Sequence, residues 1–155
     1  MKLSDNNFCT TKAGLAAGTT TTFTTANAVI YSLDGEALSY AAQTNLATPT
    51  LDANTGVAFV GVPINKGCIF IFGILNAAIS VVQGALADLD SAGNFILAPE
   101  YPAIPVNFVP FGELLIKVAS NGSTWTFGTS NQASVTGVTY TRKDLLVLKS
   151  RLHSS

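Results

Sequence analysis

Apolar and polar positions alternate with a period of two along most of this chain. From Ala28, A-V-I-Y-S-L and E-A-L-S-Y-A-A flank Asp34-Gly35, and a D-G dipeptide between alternating runs predicts a two-residue hairpin. Gly56-Val57-Ala58-Phe59-Val60-Gly61-Val62 reads as a further strand closed by Pro63, after a loop over residues 43–56. Phe111 to Ala119 and Ser123 to Phe127 flank Asn121-Gly122, which predicts another hairpin. Val135 to Thr141 is a last strand, and residues 142–155 fit either a strand or a short helix carrying Leu145, Leu146, Leu148 and Leu152 on one face.

Between Lys66 and Asp88 lies an uncharged stretch, G-C-I-F-I-F-G-I-L-N-A-A-I-S-V-V-Q-G-A-L-A. Its length permits a membrane-spanning helix. Its residues argue for two strands, because Cys68 to Phe72 and Ile79 to Val82 are β-rich runs around Asn76-Ala77-Ala78. Gly73, Asn76, Gln83 and Gly84 also suit a lipid-facing helix poorly. Residues 99–110 hold four of the six prolines, so this segment is read as an extended connector with Tyr101, Ile104 and Phe108 pointing outward against the domain or a partner.

The pattern therefore predicts an all-β, single-domain β-sandwich or barrel of seven to nine short antiparallel strands. Residues 1–27, crowded with threonine, are expected to form an extended arm that adds to a sheet edge of this subunit or a neighbour, or else a disordered terminus. Residues 28–155 form the β domain with its basic C-terminal tail.

Composition adds one strong constraint. The 155-residue chain is 48% hydrophobic but only 11% charged, against roughly 25% in ordinary soluble domains. A surface so poor in charge is expected to be hidden in an assembly. The net charge of −1 gives no general attraction for nucleic acid or an anionic membrane, and neither is expected as a partner. Residues 1–7 lack an apolar secretory core, so folding in a cytoplasm is expected, with Cys9 and Cys68 as free thiols.

Candidate chemistry is sparse. The single histidine, His153, has no nucleophile partnered with it in the sequence, and Cys68 sits in an apolar run that suppresses thiolate formation. No zinc-ligand spacing occurs. Asp88-x-Asp90 followed by Ser91, Gly93 and Asn94 has the start of an oxygen-rich calcium loop, but Pro99 stands where its last ligand belongs, so a plain acidic turn is expected. No catalytic residue, metal or cofactor is assigned. Trp125 and Phe127 share a strand face and, with Tyr140, are expected in the core. Arg142, Lys143, Lys149 and Arg151 are half of all basic residues, and are read as a tail that contacts a partner protein.

The segments A-A-G-T-T-T-T-F-T-T, Y-S-L-D-G-E-A-L-S-Y-A-A, N-K-G-C-I-F-I-F-G, V-V-Q-G and N-F-V-P-F-G-E-L-L-I-K-V together resemble small virion proteins of tailed bacteriophages, most of all capsid decoration (cement) proteins. The resemblance covers most of the chain and carries no functional residue. It implies a non-enzymatic, often trimeric β protein on the virion capsid surface, assembled in the host cytoplasm. Such a protein binds the major capsid protein and bridges neighbouring shell subunits. Tail or fibre-associated structural and receptor-binding β modules share the same Thr/Gly/Asn-rich style and form the alternative.

Overall fold

The computed structural model describes residues 7–146. These contain no helix; they form eleven strands in three antiparallel sheets, an arrangement consistent with a β-sandwich. The eleven exceed the expected seven to nine, chiefly because the N-terminal region and the loop after the first hairpin also form strands.

The central sheet is built on β7 (Lys66–Leu75) and β10 (Val109–Val118), which pair antiparallel with a bulge between Pro110 and Gly112. On its flanks lie β11 (Val138–Asp144) beside β10, and β8 (Ala78–Gln83) with the two-residue β9 (Ala87–Asp88) beside β7. The expected hairpin of the uncharged stretch is β7 and β8. Asn76 and Ala77 both adopt positive φ, 52° and 61°, at a two-residue turn whose flanking residues Leu75 and Ala78 pair. This conformation matches the right-handed twist of the strands. No helix among the described residues is long and apolar enough to cross a membrane.

The Asp34-Gly35 hairpin also forms, as β4 (Val29–Leu33) and β5 (Glu36–Tyr40), with β1 (Phe8–Cys9) on the other side of β4. The third sheet consists of β2 (Leu15–Ala17), β3 (Thr22–Thr25) and β6 (Gln43–Ala47). Residues 7–27, expected to add to a sheet edge of this subunit or a neighbour or else to form a disordered terminus, hold the three strands β1–β3. They add to edges of this same subunit, because Cys9, Ala13, Leu15 and Phe23, spaced among the threonines, enter the core. The Phe23 ring meets Phe72 edge-on at 5.2 Å between centroids. Residues 43–47, read as loop, form β6 against β3.

Two other predicted strands are replaced by irregular backbone. Residues 56–62 make only the bridges Leu51–Ala58 and Val62–Trp125, and the Asn121-Gly122 hairpin is absent because β10 pairs with β11 instead. The returning segment sends Trp125 and Phe127 inward, as their shared face predicted. Phe127 stacks on Phe70 at 5.0 Å, and Trp125 meets Phe70 and Tyr140 edge-on. Trp125 Nε1 donates to the Asn131 carbonyl, so its polar end is satisfied in the interior. The last strand runs to Asp144, whose carboxylate accepts the backbone N–H groups of Gly14 and Leu15 and ties β11 to the N-terminal segment.

Candidate binding surface on the outer face of the central sheet

Because side chains alternate along a strand, β7 and β10 present two faces. Phe70, Phe72, Leu114 and Ile116 face the main core. Ile69, Ile71 and Leu115 face the other way and pack with Val82 and Phe108 as a second apolar cluster. β7 is therefore buried on both faces, which explains its nearly unbroken apolar sequence.

The outer face is covered by the segment 89–108, which is held at its two ends by aromatic rings seated over glycines. A Cβ at Gly67 would lie 2.6 Å from the Phe95 ring, and one at Gly73 would lie 2.3 Å from the Phe108 ring. Only a residue without a side chain permits so close an approach. Phe108 is accordingly buried, which corrects the expectation that it points outward. Its burial stabilises the covering segment by about 1.5–3 kcal/mol relative to exposure. Tyr101 and Ile104 do point outward, at 56% and 41% exposure, and Val106 joins them at 67%.

Beneath Tyr101 lies a small polar group. Glu113 is buried on β10, with one carboxylate oxygen 3.5 Å from Lys143 Nζ and the other without a hydrogen-bond partner. Lys143 also stands 6.0 Å from the centre of the Tyr101 ring. The Glu113 carboxylate is the main cause of an upward shift in the Tyr101 pKa; Lys143 is also raised, first by Tyr101 and then by Glu113. Lys143 thus stands between the buried Glu113 carboxylate and the exposed Tyr101 ring.

Of the four basic residues expected in the tail, two are described, and both lie in a strand. Arg142 and Lys143 belong to β11. Arg142 Nη2 donates to the Gln132 carbonyl at 2.5 Å, and its guanidinium lies 5.3 Å from the Tyr140 ring centre. Burial lowers its pKa, and it serves as an internal tie rather than a free surface cation. Lys149 and Arg151 lie outside the described residues.

Beside β9 the covering segment leaves a shallow groove of about 270 Å³, lined by residues 85–88 and 96–100. Its apolar residues Leu86, Ile96 and Leu97 are exposed, Leu97 by 80%. Asp88 at its rim is paired with Lys66. Asp90, the second acid of the Asp88-x-Asp90 pair, accepts the N–H groups of Ala92 and Asn94 and closes a turn. Among the described residues no three His, Cys, Asp or Glu side chains gather as metal ligands.

Both described cysteines are free and buried. The Cys68 thiol donates to the Gly84 carbonyl, and burial pushes its pKa up to about 11; Cys9 donates to the Thr11 carbonyl and is also raised by burial. Neither is poised as a thiolate nucleophile.

The arrangement offers an apolar binding surface fixed on a sheet. Sequence reasoning named Tyr101 and Ile104 but missed Leu86, Ile96, Leu97 and Val106. A signal for Val106 was present, since it falls two residues after Ile104 in an extended, proline-bounded run. No family model, curated protein or solved structure matches the chain.

Proposed function

We propose that this chain is a non-enzymatic virion structural protein that binds a major capsid shell and stabilises it by bridging neighbouring subunits. Its place is the capsid surface, after assembly in the host cytoplasm. The observation that carries the reading is the exposed row Tyr101, Ile104 and Val106, borne on a connector anchored through Phe108. A fixed apolar row loses little conformational freedom on docking, so more of its burial energy appears as affinity. The low charge of the chain supports extensive contact with other proteins, including copies of itself, and we read the oligomer as a trimer. Repeated contacts of such an oligomer around a shell turn weak single interfaces into lasting attachment. We read the three sheets as a sandwich, which gives these contacts a stiff support.

The test is co-sedimentation of the purified protein with undecorated shells of the capsid protein from the same genome. Saturable coating is expected, and the Ile104→Asp, Val106→Asp double variant should lose it while keeping the wild-type circular dichroism spectrum. Coating by that variant at wild-type occupancy, or no coating by the wild type, rejects the reading.

A further inference from the structure

The Asn121-Gly122 dipeptide, whose predicted hairpin does not form, is left at a surface turn. Neither residue takes the positive φ of a two-residue hairpin turn. One backbone bond closes the turn, from the Gly122 N–H to the Ala119 carbonyl at 3.0 Å, and the two residues that follow are exposed and outside any strand. A turn held so lightly opens at little cost. Asn121 is itself exposed and is the only asparagine of the chain that precedes a glycine. A Cβ built on Gly137 would lie 3.0 Å from Asn121 Oδ1 and 2.6 Å from the Gly122 nitrogen. The carboxamide and the next backbone nitrogen are therefore folded toward one point, and Gly122 has no side chain to hold them apart.

We infer that Asn121 is a site of self-modification, where the protein converts its own carboxamide to aspartate or isoaspartate with water as the only co-reactant. The Gly122 nitrogen bonds to Cγ of Asn121, the Cγ–Nδ2 bond breaks, and ammonia leaves carrying the proton that the Gly122 nitrogen gives up. The product is a five-membered succinimide. Water then opens the ring at either carbonyl. Opening at Cγ leaves an aspartate in an ordinary main chain, and opening at the backbone carbonyl leaves an isoaspartate whose main chain runs through Cγ. The bond to Ala119 retains the Gly122 proton, so the reaction proceeds from the opened turn.

The second product has a structural consequence. Gly122 rests backbone to backbone on Gly137, which has φ 77°, and its Cα would stand 2.5 Å from a Cβ there. Beside this contact the Ala119 N–H donates to the Gly137 carbonyl at 2.8 Å, just past Val118 and Val138, the last pair of β10 and β11. Isoaspartate adds a carbon to the main chain between Asn121 Cα and the Gly122 nitrogen. Gly122 then cannot both rest on Gly137 and reach the Ala119 carbonyl, and this end of the β10–β11 pair loosens.

The inference goes beyond the proposed function and depends on no partner. Full-length wild type and Asn121→Gln, whose longer side chain closes the ring far more slowly, are aged together at mildly alkaline pH. Trypsin releases residues 118–142 as one peptide that also holds Asn131, an asparagine followed by glutamine. Fragmentation mass spectrometry of the wild type is expected to place a gain of one mass unit at residue 121, with isoaspartate above aspartate and Asn131 still an amide. Hydrogen exchange at Ala119 should be about tenfold faster in the isoaspartate fraction than in fresh protein, and unchanged in aged Asn121→Gln. An Asn121 that stays an amide, an Asn131 that converts as fast, or converted chains with unchanged exchange at Ala119 overturns the inference. Equal loosening in the aged glutamine variant overturns it as well. Should that variant fail to fold, the peptide and exchange results on the wild type decide.

Discussion

The Phe108 ring lies on Gly73, so close that a Cβ there would stand 2.3 Å from two ring carbons and 2.8 Å from the Val109 carbonyl oxygen. Both the ring and the backbone beside it would have to move to admit a methyl group. Gly73→Ala is expected to destabilise the fold by about 1–3 kcal/mol, the usual range for overpacking. It should also release the connector, so limited proteolysis should cut between residues 99 and 107 in the variant before the wild type. Unchanged stability and cleavage would show that the ring is not seated there.

Tyr101 and Lys143 set an alkaline limit on the same attachment. Their pKa values are raised from the ordinary 10.0 and 10.5, so each holds its proton more tightly in the folded than in the unfolded chain. Their contribution is complete below the unfolded values and is lost as pH rises through the folded ones. Both side chains are more than half exposed, which limits the effect to about a few tenths of a kcal/mol. Urea midpoints should fall from about pH 9 to 11 more steeply in the wild type than in Glu113→Gln, which removes the main cause of the Tyr101 shift. Equal slopes would remove Glu113 from this role.

Phe23 tests whether the threonine-rich region belongs to the body. Its side chain is 1% exposed and packs edge-on against Phe72. Phe23→Ala is expected to cost about 3–5 kcal/mol, measured by chemical denaturation. A loss below about 1 kcal/mol would show that Phe23 does not hold the threonine-rich region to the body.

Ala77 occupies the left-handed region with φ 61° at the β7–β8 turn. For a residue with a Cβ this conformation costs roughly 1–2 kcal/mol, part of which glycine recovers despite its greater freedom when unfolded. Ala77→Gly is therefore expected to raise stability by about 0.5–1 kcal/mol. A lower denaturation midpoint would contradict the turn geometry.

The two hairpins that formed as expected join neighbouring segments, β4 with β5 and β7 with β8, across turns of two residues. Such pairings need only local alternation and turn chemistry, and both are written in consecutive residues. All-β character followed for the same reason, as did the inward aim of Trp125 and Phe127. Exposure of Tyr101 and Ile104 was legible too, because prolines keep their segment out of a sheet interior.

What the chain order concealed was competition among distant partners. Asn121-Gly122 is a sound hairpin signal, but pairing of β10 with β11 and burial of Trp125 and Phe127 against Phe70 outweighed it. Full burial of each large apolar side chain contributes about 1.5–3 kcal/mol, more than a local turn preference. In the same way Phe23 drew the threonine-rich region into the core, and the small residue at position 73 admitted Phe108 beneath the connector. By itself the sequence determined strand character, local turns and a charge-poor surface, because these depend on residues near one another in the chain. The tertiary structure alone decided that Phe108 goes inside while Leu86, Ile96, Leu97 and Val106 stay out, because that depends on which distant surfaces pack together.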